Sequence, residues 1–280
     1  MKDILSEIIA HKRTEIARQK QAMPTEELQR LVENALQASP YTPRSMSRAL
    51  AASRSGIIAE FKRRSPSKGW IHPKADVRSI TTAYEQGGAT ALSILTDETF
   101  FGGTWADLRM ARSSIGLPIL RKDFIIDPYQ LWQTRLAGAD AVLLIAACLT
   151  KDDCRALTDE AHALGLEVLL EIHSNDELSY VTPHVDMVGI NNRNLGSFHT
   201  DVQNSFRLAE DINREIKKAG NAVLVSESGI SHPDTICQLR KAGYQGFLIG
   251  ETFMKASAPG DKLHSFILQI NNHYETEPAH

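Results

Sequence analysis

Arg135-Leu136-Ala137-Gly138-Ala139-Asp140-Ala141-Val142-Leu143-Leu144-Ile145 is the stretch that decides the fold. Its first part ends a helix, with Gly138 where an α-helix would stop, and Ala141–Ile145 is a short apolar run. A run without apolar–polar alternation is what a parallel strand covered on both faces looks like. The same unit recurs. The other runs are Ile57–Ala59, Ala91–Leu95, Pro118–Leu120, Val168–Leu170, Met187–Ile190, Ala222–Val225 and Gly246–Ile249, eight in all. Gly88, Gly165 and Gly243 stand ahead of three of them as Gly138 does here. Polar loops and amphipathic helices alternate with the runs, which implies right-handed βαβ units. A doubly wound open sheet typically has five or six strands. Eight units in about 220 residues instead fit an α/β fold of the (β/α)8 type, the TIM barrel.

The 280 residues read as one barrel domain, with residues 1–45 as an N-terminal helical extension. Ile4, Leu5, Ile8 and Ile9 recur at helical spacing. Pro24-Thr25-Glu26-Glu27 opens a second helix with Leu28, Leu31, Val32 and Leu36 on one face, and Pro40 and Pro43 break the pattern. Lys plus Arg total 31 and Asp plus Glu 34, a net charge of −3 without the basic footprint of a nucleic-acid binder. Three cysteines with no CxxC spacing argue against a disulfide framework or a cysteine zinc site and suit a reducing cytoplasm. Ile8-Ile9-Ala10 is too short for a signal peptide, and no stretch reaches the ~18 apolar residues of a membrane span. The expected protein is cytoplasmic and meets neither nucleic acid nor membrane.

In a barrel of this kind the chemistry sits at the C-terminal ends of the strands. Polar residues there should share one side-chain parity. Glu60 and Lys62 lie two apart at the end of the first strand; Leu120, Lys122 and Phe124 share a face of the third. Leu169, Glu171 and His173 do so in the fifth, and Gly189, Asn191 and Arg193 in the sixth. Glu60, Lys62, Lys122, Glu171 and Asn191 can therefore converge inside one mouth. The competing reading makes Glu60–Lys62 and Lys122–Asp123 ion pairs on a solvated rim. Only parity separates Lys122 from its neighbours Arg121 and Asp123.

Strand seven ends Ser226-Glu227-Ser228-Gly229-Ile230 and strand eight ends Leu248-Ile249-Gly250-Glu251-Thr252. Barrels often bind phosphate with the loops after these two strands, where free backbone N–H groups meet the anion. Gly229 and Gly250 allow that approach; as single glycines they could equally be ordinary turn residues. The loop Arg63-Arg64-Ser65-Pro66-Ser67-Lys68-Gly69-Trp70 is basic and reads as an anion-facing lid, or as a solvated surface loop. Phe100-Phe101 could wall the mouth or simply pack. Ten histidines offer no HExxH or helical metal pair, and Glu171-Ile172-His173 is only a weak match to strand-borne ligand spacing. No Walker loop, GxGxxG or GxSxG elbow occurs, so neither a metal nor a cofactor is expected.

In these residues the chain resembles one family. Ile57-Ile58-Ala59-Glu60-Phe61-Lys62-Arg63-Arg64-Ser65-Pro66-Ser67 looks like the signature of the indole-3-glycerol phosphate synthases. Leu120–Phe124, Leu170-Glu171-Ile172, Gly189–Leu195, Ser226–Ile230 and Leu248–Glu251 follow in the family's order. The resemblance implies closure of 1-(2-carboxyphenylamino)-1-deoxyribulose 5-phosphate to indole-3-glycerol phosphate, a carboxy-lyase step in tryptophan biosynthesis. It implies Lys122 as the general acid of closure and Glu171 as the general base of dehydration. Lys62, oriented by Glu60, would bind the carboxylate end and serve as the second acid, while Asn191 and Ser228 position hydroxyls and the anilino group. Gly229, Gly250 and Glu251 would receive the phosphate with Ser65 and Arg193, and Phe124, Pro66, Leu143 and Leu248 would line the rest of the substrate site. Arg63-Arg64 and Thr252 depart slightly from the pattern and remove no required donor. The chain ends soon after a helix near Leu263–Ile270, so a monofunctional member is expected, a monomer at most loosely associated with other tryptophan-pathway enzymes. The alternatives are a Schiff-base aldolase using Lys122 as its amine, and a silent barrel that only binds phosphosugars.

Overall fold

The computed structural model describes residues 4–38, 42–194, 196, 199–220 and 222–276; the expected break at Pro40 and the motif residue Leu195 lie outside them. Eight parallel strands form a closed barrel: β1 (Ile57–Phe61), β2 (Ala91–Leu95), β3 (Ile119–Lys122), β4 (Ala141–Ile145), β5 (Glu167–Ile172), β6 (Met187–Asn191), β7 (Val223–Glu227) and β8 (Gly246–Ile249). Each strand pairs with its sequence neighbour, and β8 closes onto β1 through Ile57↔Phe247 and Ala59↔Ile249. The first, third, fifth, sixth and seventh strands run on past the apolar stretches, so that Glu60, Lys122, Glu171, Asn191 and Glu227 are themselves strand residues.

Strand parity divides the core in two. Ile57, Ala59, Phe61, Leu92, Ile94, Val142, Leu144, Leu170 and Ile190 face the surrounding helices. Ile58, Ala91, Leu120, Leu143, Leu169, Val225 and Leu248 fill the barrel. Both sets are buried because helices cover the outside and side chains fill the inside, which is why the runs show no alternation. The helices follow local rules. In the helix Pro128–Ala137, Asp127 and Gln130 form a capping box, Pro128 occupies the first turn, and Gly138 closes the end at φ 85.

Among the described residues three helices precede β1, where the hydropathy pattern suggests two. α1 (Ile4–Ala22) lies against the C-terminal rim of the barrel, with Lys12 paired to Asp97 and Asp123 just beyond β2 and β3. α2 (Thr25–Ala38) packs Leu28 and Val32 with Ile16 and Tyr129. The additional helix, α3 (Met46–Ala52), is too short for periodicity to reveal. It plugs the opposite end: Met46 and Leu50 join the interior cluster, and Glu167 at the start of β5 accepts from Ser45 and Ser47. The fifth unit also departs from expectation. Between β5 and β6 stands only a 3-10 helix, Asn175–Tyr180, because its short Asn/Asp/Ser segment ahead of Pro183 favours turns over an α-helix.

Candidate active site

A cavity of about 780 Å³ opens at the C-terminal rim of the barrel. Glu60, Lys62, Lys122, Glu171, Asn191 and Ser228 line it, as do Pro66, Phe124, Leu143, Arg193, Gly229, Leu248, Gly250 and Glu251. Ser65 does not. Its side chain is buried within the loop after β1, and its hydroxyl has no hydrogen-bond partner among the described residues. The cavity therefore gathers residues from β1, β3, β4, β5, β6 and β8 and from the loops beyond β1, β3, β6, β7 and β8.

Lys122 is the hub. Its ammonium lies 3.1 Å from Glu171 Oε2 and 3.1 Å from Glu227 Oε2. Asp123 also borders the cavity, but its carboxylate is taken up by a buried network with Arg121, Thr96 and Lys12. Lys122 faces inward as its parity predicts, and it pairs with Glu171 and Glu227 rather than with Asp123 on a solvated rim. Nor is the other pair on a solvated rim: Lys62 Nζ is 2.6 Å from Glu60 Oε1, with Glu60 buried. Gly250 makes that carboxylate possible, since a Cβ there would stand 2.4 Å from Glu60 Oε1.

Glu227 is the residue the sequence reading passed over. Its place on β7, opposite Asn191 in register, carries the same inward parity, and that was the available signal. A side chain at Gly189 would lie 2.1 Å from Glu227 Oε1, so glycine in β6 is what lets this carboxylate cross the barrel to Lys122. Two carboxylates sharing one ammonium cannot titrate independently. Burial and the carboxylates of Glu171 and Glu60 push Glu227 up to about 7, although Lys122 opposes them. Burial would also raise Glu171, but Lys122, His173 and Asn191 outweigh it and hold Glu171 well below its ordinary range. Lys122 is desolvated too, yet Glu171, Glu227 and Glu60 keep it charged well above the usual lysine range. Near neutral pH the cluster thus pairs a protonated amine with the firm carboxylate of Glu171, while Glu227 holds a proton more readily than an ordinary glutamate.

The far side of the cavity is cationic and glycine-rich. Ser228 adopts φ 69 and Gly229 φ 79, so the backbone turns sharply after β7; for serine this left-handed conformation is strained. Arg193 donates to Ser67 at 3.0 Å and lies 3.5 Å from Glu251, which also receives Lys68 at 2.7 Å. Burial would raise Glu251, but the ammonium groups of Lys255 and Lys68 bring it down to about 2. The loop after β1 is a small hairpin, Arg64–Ser65 against Gly69–Trp70. Only Pro66, Ser67 and Lys68 of its tip line the cavity. Arg63 instead forms a two-point pair with Asp107, at 2.6 and 2.8 Å, so the loop's basic residues do not all face an anion.

An apolar wall completes the enclosure. Phe101 lies 6.1 Å from Phe124, ring to ring, while Phe100 packs against His11 instead. Ile4, Leu5 and Ile8 of α1 roof the same wall, a contribution that helical spacing alone could not place. Among the described residues no group of three or more His, Cys, Asp and Glu is arranged to hold a metal ion. No helix of the described chain is long and apolar enough to cross a membrane.

Fold and site define a class: a (β/α)8 barrel with an acid–base cluster set across one mouth from a cationic, glycine-rich rim. Comparison with known proteins narrows it. The family model described as indole-3-glycerol phosphate synthase matches residues 5–266. An indole-3-glycerol phosphate synthase of Bacteroides thetaiotaomicron is 60% identical over 270 residues, covering 96% of this chain and all of that protein. One from Koribacter versatilis is 42% identical, covering 95% of this chain and 100% of its own length. Tryptophan synthase subunit alpha from Legionella pneumophila superposes with a TM-score of 0.59 over 81% of this chain and 97% of its own; at 15% identity it speaks for the barrel fold alone. The chain belongs to the indole-3-glycerol phosphate synthase family.

Proposed function

We propose that this chain converts 1-(2-carboxyphenylamino)-1-deoxyribulose 5-phosphate to indole-3-glycerol phosphate, carbon dioxide and water, as a carboxy-lyase of tryptophan biosynthesis. The observation that carries this reading is the Lys122 ammonium held between Glu171 and Glu227, beside an apolar wall and across from the cationic rim. The phosphate end meets Arg193, Lys68 and the backbone at Gly229, Gly250 and Glu251. The anilino ring lies among Phe124, Leu143, Leu248, Pro66 and the roof from α1. Lys62, paired with Glu60, faces the ring carboxylate, and Asn191 and Ser228 position the sugar hydroxyls and the anilino nitrogen.

Lys122 gives its proton to the ketose carbonyl oxygen as the carboxyl-bearing ring carbon forms the new C–C bond. Loss of carbon dioxide returns the bonding pair to the ring. Lys62 then protonates the departing hydroxyl, and Glu171 removes the proton whose loss restores the aromatic indole. Each positioned acid or base is worth roughly 10²–10⁴ in rate. Three carboxylates around Lys122 favour its charged form, which suits a proton donor and disfavours the free amine a Schiff-base aldolase needs. The working unit is a monomer in the cytoplasm.

The test is direct. Purified protein mixed with the anilino-ketose phosphate should develop indole fluorescence with stoichiometric carbon dioxide release. Binding without either signal would overturn the assignment in favour of a silent barrel.

A further inference from the structure

His173 lies just past the end of β5, two residues beyond Glu171 and on the same inward parity, and no step of the proposed reaction uses it. Its side chain is 16% exposed. Both ring nitrogens are sealed from water, and neither makes an aligned hydrogen bond among the described residues. Nε2 lies 3.3 Å from Glu171 Oε1, and Nδ1 lies 3.5 Å from Glu177 Oε2. A neutral imidazole would leave at least one buried nitrogen facing a carboxylate with a lone pair. An imidazolium presents N–H to both.

The geometry points to His173 as a positioning residue: a buried imidazolium that fixes Glu171 through Oε1 and leaves Oε2 to Lys122 and the reacting proton. The inference rests on Glu171 being the general base. It explains how that base outlasts the first half of the reaction. When Lys122 gives up its proton, Glu171 loses one of its two cations, and without His173 it would be a desolvated, unpaired carboxylate. His173 keeps it ionised and oriented while the loss of the Lys122 charge raises its basicity toward what proton abstraction requires.

Glu177 is the anchor. Its Oε2 also accepts the backbone N–H of His173 at 2.6 Å, so the 3-10 helix Asn175–Tyr180 sets both the main chain and the ring. Asn204 fixes the carbonyl of His173 from the helix Gln203–Ala219 at 3.1 Å and carries no charge. The charged groups facing the ring are Glu171 on β5 and Glu177 on the 3-10 helix. Burial would lower the imidazole, but these two carboxylates outweigh it and hold it at about 10.

Two measurements test this. In the wild-type protein, nitrogen NMR of labelled histidine should show His173 doubly protonated at pH 8; a neutral ring at that pH overturns the inference, whatever any variant does. In His173→Asn, the acid limb of kcat/KM should move up by about one pH unit or more, with KM at pH 8 near wild type. Glu177→Gln should shift the limb the same way by less. An acid limb coincident with wild type, or a pH-independent loss that follows thermal stability, overturns it. Glu171→Gln separates the two readings: full turnover there removes the base assignment, whereas an inactive Glu171→Gln beside an unshifted His173→Asn removes only the role of His173.

Discussion

Replacing Lys12 with methionine removes the cation that α1 contributes to a sealed ionic cluster. Its ammonium lies 2.9 Å from Glu15, 3.1 Å from Asp97 and 3.0 Å from Asp123, and its side chain is 1% exposed. Asp123 would keep Arg121 at 2.8 Å, and Asp97 would keep only its backbone N–H contacts to Phe100 and Phe101. Breaking a buried pair from one side costs about 3–5 kcal/mol, because the abandoned charge stays desolvated. Burial would raise Asp123, but Arg121 and Lys12 lead the interactions that bring it from 3.8 to about 2, so part of that stabilisation leaves with Lys12. At ~2–4 °C per kcal/mol for a chain of this size, the thermal midpoint of Lys12→Met should fall by about 6–20 °C at pH 7. The pH dependence has a definite sign. The folded value of Asp123 lies below the unfolded one, so its contribution is complete above 3.8 and lost as the pH falls through about 2. The difference between the two proteins should therefore narrow below pH 4. Because Ile4, Leu5 and Ile8 of the same helix line the cavity, KM should rise more than kcat falls. Circular dichroism melts at pH 7 and pH 3.5, with steady-state kinetics, measure all three effects. A midpoint within ~2 °C of wild type at pH 7 would refute the reasoning, since no buried ion pair of this geometry should be silent.

Other outcomes follow from the same contacts. Glu171→Gln and Lys122→Met should each lower kcat by roughly 10²–10⁴ in the indole fluorescence assay, with smaller effects on KM. Gly189→Ala would put a methyl 2.1 Å from Glu227 Oε1; urea unfolding should show a loss of about 1–3 kcal/mol and turnover should drop, whereas a neutral result would mean that Glu227 is free to move. Glu227, pushed up from 4.5 to about 7, binds its proton more tightly folded than unfolded, so this group costs stability as the pH rises through that window. Glu227→Gln should accordingly gain on the order of 2 kcal/mol relative to wild type on going from pH 5 to pH 8, and equal pH slopes in urea melts would contradict it.

Much of this architecture was legible because parallel strands covered on both faces leave an unmistakable residue pattern. The run Ala141–Ile145 and the helix end at Gly138 needed only local chemistry to read. Parity likewise separated Lys122 from Arg121, which the structure buries outside the barrel over Trp105, its guanidinium 4.0 Å from the ring centroid. Short or irregular pieces escaped. α3 holds too few residues for a period to show, and the fifth connection looked like the others until its Asn/Asp/Ser segment proved to be a 3-10 helix.

By itself the sequence determined the number of strands, their parallel sense and which side chains turn inward, because these depend on spacing along a few residues. Partner choice was left to the tertiary structure. Lys122 meets Glu227 across the barrel and leaves Asp123, its chain neighbour, to Lys12 from α1. The glycine that admits Glu227 stands on another strand, and the roof over the aromatic wall comes from the first helix of the chain. Barrel closure and strand register decide those meetings, and neither is written in any local stretch, because each brings together residues that covalent connectivity keeps far apart.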